Sequence, residues 1–432
     1  MKRNSLNRQI LALAIPAIIA NITTPLLSLV DIAIVGRLGS PAYVGAVAVG
    51  GTLFSMLYWL FSFLRFGTSG LTAQSLGEGN DEKLRLTLLR SLMIAAIASL
   101  LLILLHRPLG DIALDFMDTD AETRRLAEIY FNLLIFGAPA VLAQYALTGW
   151  FVGRQDTRTP MWLSLVINVT NIGASLILVF VLGMKIEGVA LGTLIAQWVG
   201  SIAGLIVAAK RISLRRINLR SVINLPELKR FFSVNFDIFL RTLCLIAVSV
   251  WFTRSGASQG PEILAVNSML LQLFILFSYF MDGFAFAAEA LCGKLVGAGE
   301  HLQLKKAIST LLHWGLSMAL IFTVIYAAGG EAFLRLLTDD GGIIHASEPY
   351  RLWAAAIPLA GFMAFTADGI VIGLTRTRVM LGSMAIATAA YFILWFWLSP
   401  ILGNHALWIA FLTYLLLRGV LILSFLKLGD RK

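Results

Sequence analysis

The sequence predicts an all-α polytopic membrane protein: twelve transmembrane helices in two six-helix bundles, related by a pseudo-two-fold axis along the membrane normal. Three observations carry this. The 432 residues are 58% hydrophobic and only 13% charged, against about 45–50% and about 25% in soluble domains. Twelve apolar runs approach the ~20 residues that a bilayer-crossing helix needs. The two halves also echo each other at one constant offset, by which Gly77 answers to Gly297.

The runs lie near 10–35, 44–66, 87–105, 129–152, 160–182, 188–209, 231–253, 262–286, 308–328, 349–373, 379–400 and 405–426. The first is too long for a signal-peptide core and is read as a retained span. With an even number of spans both termini share one side. Assigning Lys and Arg to alternate connections gives that side 23 and the other 8, so both ends are placed in the cytoplasm. The acidic group Asp111, Asp115, Asp118, Asp120 and Glu122 falls in a loop of the opposite side, in agreement. The net charge of +10 therefore needs no nucleic-acid partner; it belongs to the cytoplasmic loops of a multi-pass membrane protein.

The basic connection 210–230 separates a first lobe, 1–209, from a second, 231–432. Gly77-Glu78-Gly79 matches Gly297-Ala298-Gly299, and Gly153 to Arg158 matches Gly373 to Arg378. Pro41 matches Pro261, and Pro139 finds Pro358 one residue out of step. Six spans separate the copies, so the repeat is parallel, and two like lobes leave a cleft that suits alternating access by rocking.

The first span holds an acid. Asn21, Thr24, Ser28 and Asp31 share one helical face of an otherwise apolar segment that also contains Pro16 and Pro25. An ionised carboxylate at membrane depth costs on the order of 2.5–3.5 kcal/mol on insertion scales, which implies a partner, a hydrated cavity or a function. The plainer alternative is an acid near the helix end that reaches water. The fifth span carries Ser164, Asn168, Asn171 and Ser175 on one face, and the sixth Thr193, Gln197 and Ser201. Such stripes also glue helices together, for about 0.6 kcal/mol per group. Three of them in one lobe favour a shared chamber, rimmed by Phe54, Trp59, Phe61 and Phe63 of the second span.

The second lobe holds more charge. Asp237 and Arg241 stand at ion-pair spacing on the seventh span. Asp282 and Glu289 lie seven residues apart on the eighth, and Asp368 sits in the tenth. Asp31, Asp282, Glu289 and Asp368 are read as unpaired proton or cation candidates, while Glu289 and Arg65 are placed to snorkel to the cytoplasmic interface.

No nucleophile elbow, HExxH or phosphate-cradling GxxxxGK[ST] occurs, and the five histidines are scattered. Cys244 and Cys292 both lie in apolar runs, with no disulfide framework or metal cluster. The expectation is a non-enzyme without cofactor or metal, driven by a proton or sodium gradient.

At this point the residues resemble a known family. Ser28 to Gly39 and Gly153 to Pro160 look like the multidrug and toxic compound extrusion (MATE) family. Asn235 to Arg241, Met281 to Glu289, Asp368 to Gly373 and Gly403 to Trp408 resemble its DNA-damage-inducible (DinF) branch. The resemblance covers essentially the whole chain. It implies two six-helix bundles around a cleft, exporting organic, often cationic, compounds against proton or sodium entry. It makes Asp31 the helix-1 carboxylate whose protonation bends that helix at its proline. Pro16 and Pro25 suit the bend, since each frees a backbone carbonyl, at Ala12 and Asn21. Some relatives carry a second acid four residues after an Asn of helix 5, where this chain has Ser175 after Asn171. Asp368 falls near a helix-10 acid of the sodium-coupled branch, and Asp237 sits on the helix that supplies its Glu, which keeps a second cation site open.

The combined reading is a monomeric, proton-coupled antiporter of amphipathic or cationic organic compounds in the bacterial cytoplasmic (inner) membrane, with Asp31, Asp237, Asp282 and Asp368 as coupling candidates. Substrate would sit among Asn21, Thr24, Ser28, Asn168, Asn171, Ser175, Thr193 and Gln197. The alternatives are a sodium-coupled exporter, a lipid-linked-oligosaccharide flippase, disfavoured because the spans offer only Arg65, Arg241 and Arg418, and a membrane-embedded transferase.

Overall fold

The computed structural model describes residues 3–117, 119–212 and 219–426, almost all of them helical. In order the helices are α1 (Arg3–Val35), α2 (Pro41–Leu60), α3 (Phe63–Gly77), α4 (Asp81–Leu104), α5 (His106–Met117) and α6 (Ala121–Leu134). Then come α7 (Ala138–Gly153), α8 (Arg158–Leu176), α9 (Ile186–Arg211), α10 (Leu219–Val222), α11 (Leu225–Ala257) and α12 (Pro261–Gly297). The chain ends with α13 (His301–Leu337), α14 (Gly341–Ser347), α15 (Arg351–Gly373), α16 (Thr377–Leu402) and α17 (Asn404–Phe425). Twelve helical segments among the described residues are long and apolar enough to cross a membrane.

The boundaries have chemical causes. Ser40 and Asp120 cap α2 and α6 by accepting from backbone N–H groups of the first turn, and Asn80 does so for α4 through Lys83 N at 2.9 Å. Pro41 and Pro261 occupy first helical positions, where the missing N–H costs nothing. α1 remains helical through Pro16 and Pro25. A π-helical turn, Ile177–Val181, ends the span begun by α8.

Two spans run well past the apolar stretch that hydropathy marks. α3 continues through Thr68, Ser69 and Thr72, all 0% exposed, and α12 continues through Glu289, also 0% exposed. These turns are polar yet buried in protein, so composition alone ends the span too early.

The chain divides into two compact units, Ile19–Phe232 and Ser233–Lys432, the latter joined by the residues as far as Ile18. Reading the sequence alone assigned all of 1–209 to the first lobe; the start of α1 instead packs in the C-terminal unit. Gly283 of α12 is the reason. A Cβ there would stand 2.8 Å from the carbonyl oxygen of Ala14, so only glycine lets α12 lie against α1.

Each unit repeats the same design. Gly79 and Gly299, equivalent by the offset of the sequence repeat, both take left-handed φ, 66° and 71°. So do Gln155 and Thr375, at 62° and 50°. After these turns Asp156 N donates to Phe151 O at 2.9 Å, and its counterpart Arg376 N donates to Val371 O at 2.9 Å. The repeat seen as short motifs is thus a repeat of backbone conformation.

Candidate functional site

In the N-terminal unit the second half of α1 rests on α8 through the polar stripes. Asn168 Nδ2 donates to the Thr23 carbonyl at 3.1 Å, and the Thr23 and Ser164 hydroxyls approach to 3.4 Å. One turn further along α8, Asn171 Nδ2 donates to Thr193 Oγ1 of α9 at 2.8 Å. Asn171 and Ser175 are 0% exposed. Upper members of the stripe therefore hold helices together, and lower members form an enclosed polar cluster.

Asp31 closes that cluster. It is 6% exposed and neighbours the Asn171 and Thr193 side chains and Tyr130, while the Asn171 amide donates to Thr193 Oγ1 and the Thr193 hydroxyl to the Val189 carbonyl at 3.1 Å. Asp31 Oδ1 is buried without a hydrogen-bond partner, as are Asn171 Oδ1 and Ser175 Oγ. The acid does not reach bulk water at its helix end. Such a group is costly while ionised and can take a proton without breaking any bond to Oδ1.

Sequence reasoning missed the aromatic wall of this cluster. Tyr130 of α6 is 3% exposed and seats against Gly50 of α2, where any side chain would collide with its ring. Phe54 stacks on Phe131 with centroids 5.0 Å apart and meets Tyr58 at 5.5 Å. Phe54 is therefore core, while Trp59 of the same helix is 40% exposed. The one available signal was the Gly50-Gly51 pair, which marks a close approach on an apolar helix. Of the remaining candidates, Gln197 receives Gln144 Nε2 on its backbone carbonyl at 2.8 Å, and Asn21 is half-buried. The side chains of Thr24 and Ser28 lie outside the described residues.

The C-terminal unit holds a different polar centre, and it corrects the sequence reading twice. Arg241 is salt-bridged to Asp368 of α15, and Asp237 instead accepts the Thr377 hydroxyl at 2.7 Å. The expected within-helix pair is replaced because Asp368 is the deeper acid, 5% exposed, and a buried charge takes the nearest counter-ion. Asp368 is not an unpaired acid either: Arg418 of α17 donates to the same Oδ2 at 2.5 Å, while its guanidinium lies 5.7 Å from the Phe365 ring centre. Arg241 and Arg418 are 7% and 3% exposed. Glu289 is fully buried and does not snorkel outward. Asp282 is half-buried beside Tyr279.

A second buried network joins α12 to α17. Asn267 and Asn404 exchange amide hydrogen bonds at 2.8 and 2.9 Å, and Trp408 Nε1 donates to Asn267 Oδ1 at 3.0 Å. Trp353 Nε1 donates to His405 Nδ1 at 2.9 Å. The Gly403 to Trp408 motif therefore fastens helices. No group of three or more His, Cys, Asp or Glu among the described residues is arranged to hold a metal.

Twelve membrane-length helices among the described residues, in two like units with polar clusters buried inside the bundles, define a polytopic membrane protein. The chain belongs to the MatE family, whose model matches residues 16–177 and 235–401. It is 39% identical over 410 residues to DNA damage-inducible protein F of Escherichia coli (strain K12), covering 94% of this chain and 89% of that protein. It is 22% identical to the probable multidrug resistance protein NorM of Photorhabdus laumondii, over 98% of this chain and 96% of that one. Its fold matches a multidrug resistance MATE family transporter of the MOP superfamily, solved in an outward-facing conformation, with a TM-score of 0.88 at 20% identity, covering 97% and 95% of the two chains. Family members of this kind are transporters rather than enzymes.

Proposed function

We propose that this chain is a proton-coupled antiporter that exports amphipathic or cationic organic compounds from the bacterial cytoplasm by alternating access. Both termini would face the cytoplasm. The observation that carries the reading is Asp31: a carboxylate 6% exposed, one oxygen unpartnered, on a helix that contains two prolines. The name of the NorM relative, a probable multidrug resistance protein, supports the substrate class.

In this mechanism Asp31 ionises when its cluster is hydrated and is neutral when the cluster closes, because a buried charge without full hydrogen bonding is expensive. The neutral acid can donate where the carboxylate can only accept, and Asn171 Oδ1, buried without a partner, is an acceptor in the same cluster. α1 bends at Pro25 or Pro16, whose missing N–H groups leave the carbonyls of Asn21 and Ala12 without helical partners. Substrate leaves as the proton arrives, and the inward gradient drives the cycle without cofactor. Two arginines on Asp368 speak against a sodium site at that acid.

The test is dye or drug efflux from vesicles under an imposed proton gradient or sodium gradient, for wild type and Asp31→Asn. The expected result is efflux driven by protons alone and lost in Asp31→Asn at equal membrane abundance. Sodium-driven efflux, or a fully active Asp31→Asn protein, overturns the reading.

A further inference from the structure

A groove of about 850 Å³ runs along the first turns of α13 where they meet the start of α1, wholly within the C-terminal unit. Its chemistry changes along its length. Along α13, Lys305 and Lys306 come first, the Ser309 and Thr310 hydroxyls follow, and Trp314 and Ser317 line the far end. At 1.5 Å per helical residue the cations and the indole are roughly 13 Å apart along the axis, enough to reach from a lipid phosphate through a headgroup layer of about 5–8 Å into the acyl chains. No carboxylate lines the groove among the described residues.

The walls are fixed before any ligand arrives. Trp314 Nε1 donates to Asn7 Oδ1 of α1 at 3.1 Å, and its indole stacks on Phe284 with centroids 5.9 Å apart. His313 Nδ1 donates to the Ser309 carbonyl at 2.6 Å, which holds that ring against its own helix. Below the groove α13 exposes Leu316, Leu320 and Val324 at 39%, 51% and 66%, four residues apart and so in one stripe. An aqueous anion has no use for that stripe, whereas an acyl chain does. The two lysines also lie on the side to which the charge count assigns the cytoplasmic leaflet, where anionic lipids concentrate.

We propose that this groove binds one anionic phospholipid, its phosphate on Lys305 and Lys306 and its acyl chains along Leu316 and Leu320. Because Asn7 and Leu6 of α1 form the opposite wall, the bound lipid bridges the first turns of α1 to α13. The site is separate from Asp31 and goes beyond the transport reading.

The test is native mass spectrometry of the delipidated full-length protein with phosphatidylglycerol or phosphatidylcholine of identical acyl chains. Wild type is expected to retain one phosphatidylglycerol at least roughly tenfold more tightly than phosphatidylcholine. Lys305→Gln/Lys306→Gln abolishes the difference and leaves phosphatidylcholine binding unchanged. Ser309→Trp, which fills the groove without changing charge, removes the retained lipid. Asp31→Asn keeps it, so failure of the transport mechanism and failure of this site are told apart. Equal retention of the two lipids by wild type, preference surviving in the double lysine variant, or displacement of phosphatidylglycerol by millimolar inorganic phosphate each overturns the proposal. The wild-type comparison decides even where a variant does not fold.

Discussion

Gly149 and Gly369, counterparts in the internal repeat, make the same contact in their respective units: each lies against a backbone carbonyl, of Arg65 and of Ala285, which are themselves counterparts. One turn on, Gly153 and Gly373 repeat it. A Cβ would stand 2.5 Å from Ser69 O in the first case and 2.6 Å from Glu289 O in the second. Small residues at fixed spacing let membrane helices approach closely, where dispersion and interhelical contacts replace the hydrophobic drive. Gly369→Ala should therefore destabilise by about 1–3 kcal/mol, as overpacking does, and lower the melting temperature in detergent. Gly382→Ala on α16 is the control, since nothing lies within 4 Å of its position. It should melt at or slightly above wild type, because Ala is the better helix former.

Asp368 holds two guanidinium groups together in a place where none of the three meets water. Removing the shared acid leaves both cations buried without their counter-charge, a loss of about 3–5 kcal/mol by analogy with broken buried pairs. Asp368→Asn should accordingly reduce the folded yield and the melting temperature far more than Asp237→Asn, whose acid is half-buried and accepts a hydroxyl. Replacing potassium by sodium should shift neither melting curve. A sodium-dependent rise in wild type that disappears in Asp368→Asn would show a cation at this acid.

Much of this architecture is legible in the sequence, because lipid imposes one rule, internal satisfaction of every backbone group, and that rule writes itself into length and hydropathy. The twelve spans follow from it, and the repeat of one half in the other shows as matching motifs at one offset. Side-chain partners across helices do not. Asp237 and Arg241 have the right spacing to pair, yet Arg241 turns to Asp368, 127 residues away, since burial outweighs proximity along the chain. Tyr130 beside Asp31 is equally invisible, because an aromatic on an amphipathic helix reads as core. The repeat also hides a divergence. The counterparts of Asp31, Asn171 and Ser175 at the same offset are Trp251, Tyr391 and Trp395, so the polar cluster of one unit corresponds to aromatic packing in the other. One fold thus keeps a polar cluster around an acid in one unit and packs aromatic rings at the equivalent positions of the other.

Asn267 and Asn404 offer a test of buried polar fastening. Each amide donates to and accepts from the other, and Trp408 adds a third bond to Asn267. Truncating one partner strands the other in a site where both are at most 3% exposed. Asn267→Ala and Asn404→Ala should each cost about 1–3 kcal/mol, while the double variant should lose clearly less than the sum. A double-mutant cycle on thermal unfolding measures that coupling. Additive losses would mean that the two amides do not act as a unit.

Arg90 makes the last prediction. It stands on α4, is 6% exposed, and donates from Nε to Val222 O at 3.1 Å and from Nη2 to Ser221 O at 2.9 Å. Those carbonyls end the short helix α10, where a single turn leaves its last C=O groups without helical partners. Its Nη1 also lies 3.6 Å from Glu227. One planar guanidinium thus caps α10 and orients the start of α11, a task that needs three donors in a fixed fork. Arg90→Lys keeps the charge but offers a point donor and cannot reach both carbonyls. Both Arg90→Lys and Arg90→Gln should therefore free the basic connection 210–230, whose lysines and arginines are trypsin sites. Limited trypsin digestion of the purified protein should cut there roughly tenfold faster in either variant, corresponding to a loss of about 1.4 kcal/mol in local stability. Melting of the two units should move little, since the contact is at one edge of the N-terminal unit. Cleavage unchanged in Arg90→Lys would show that charge alone holds the connection.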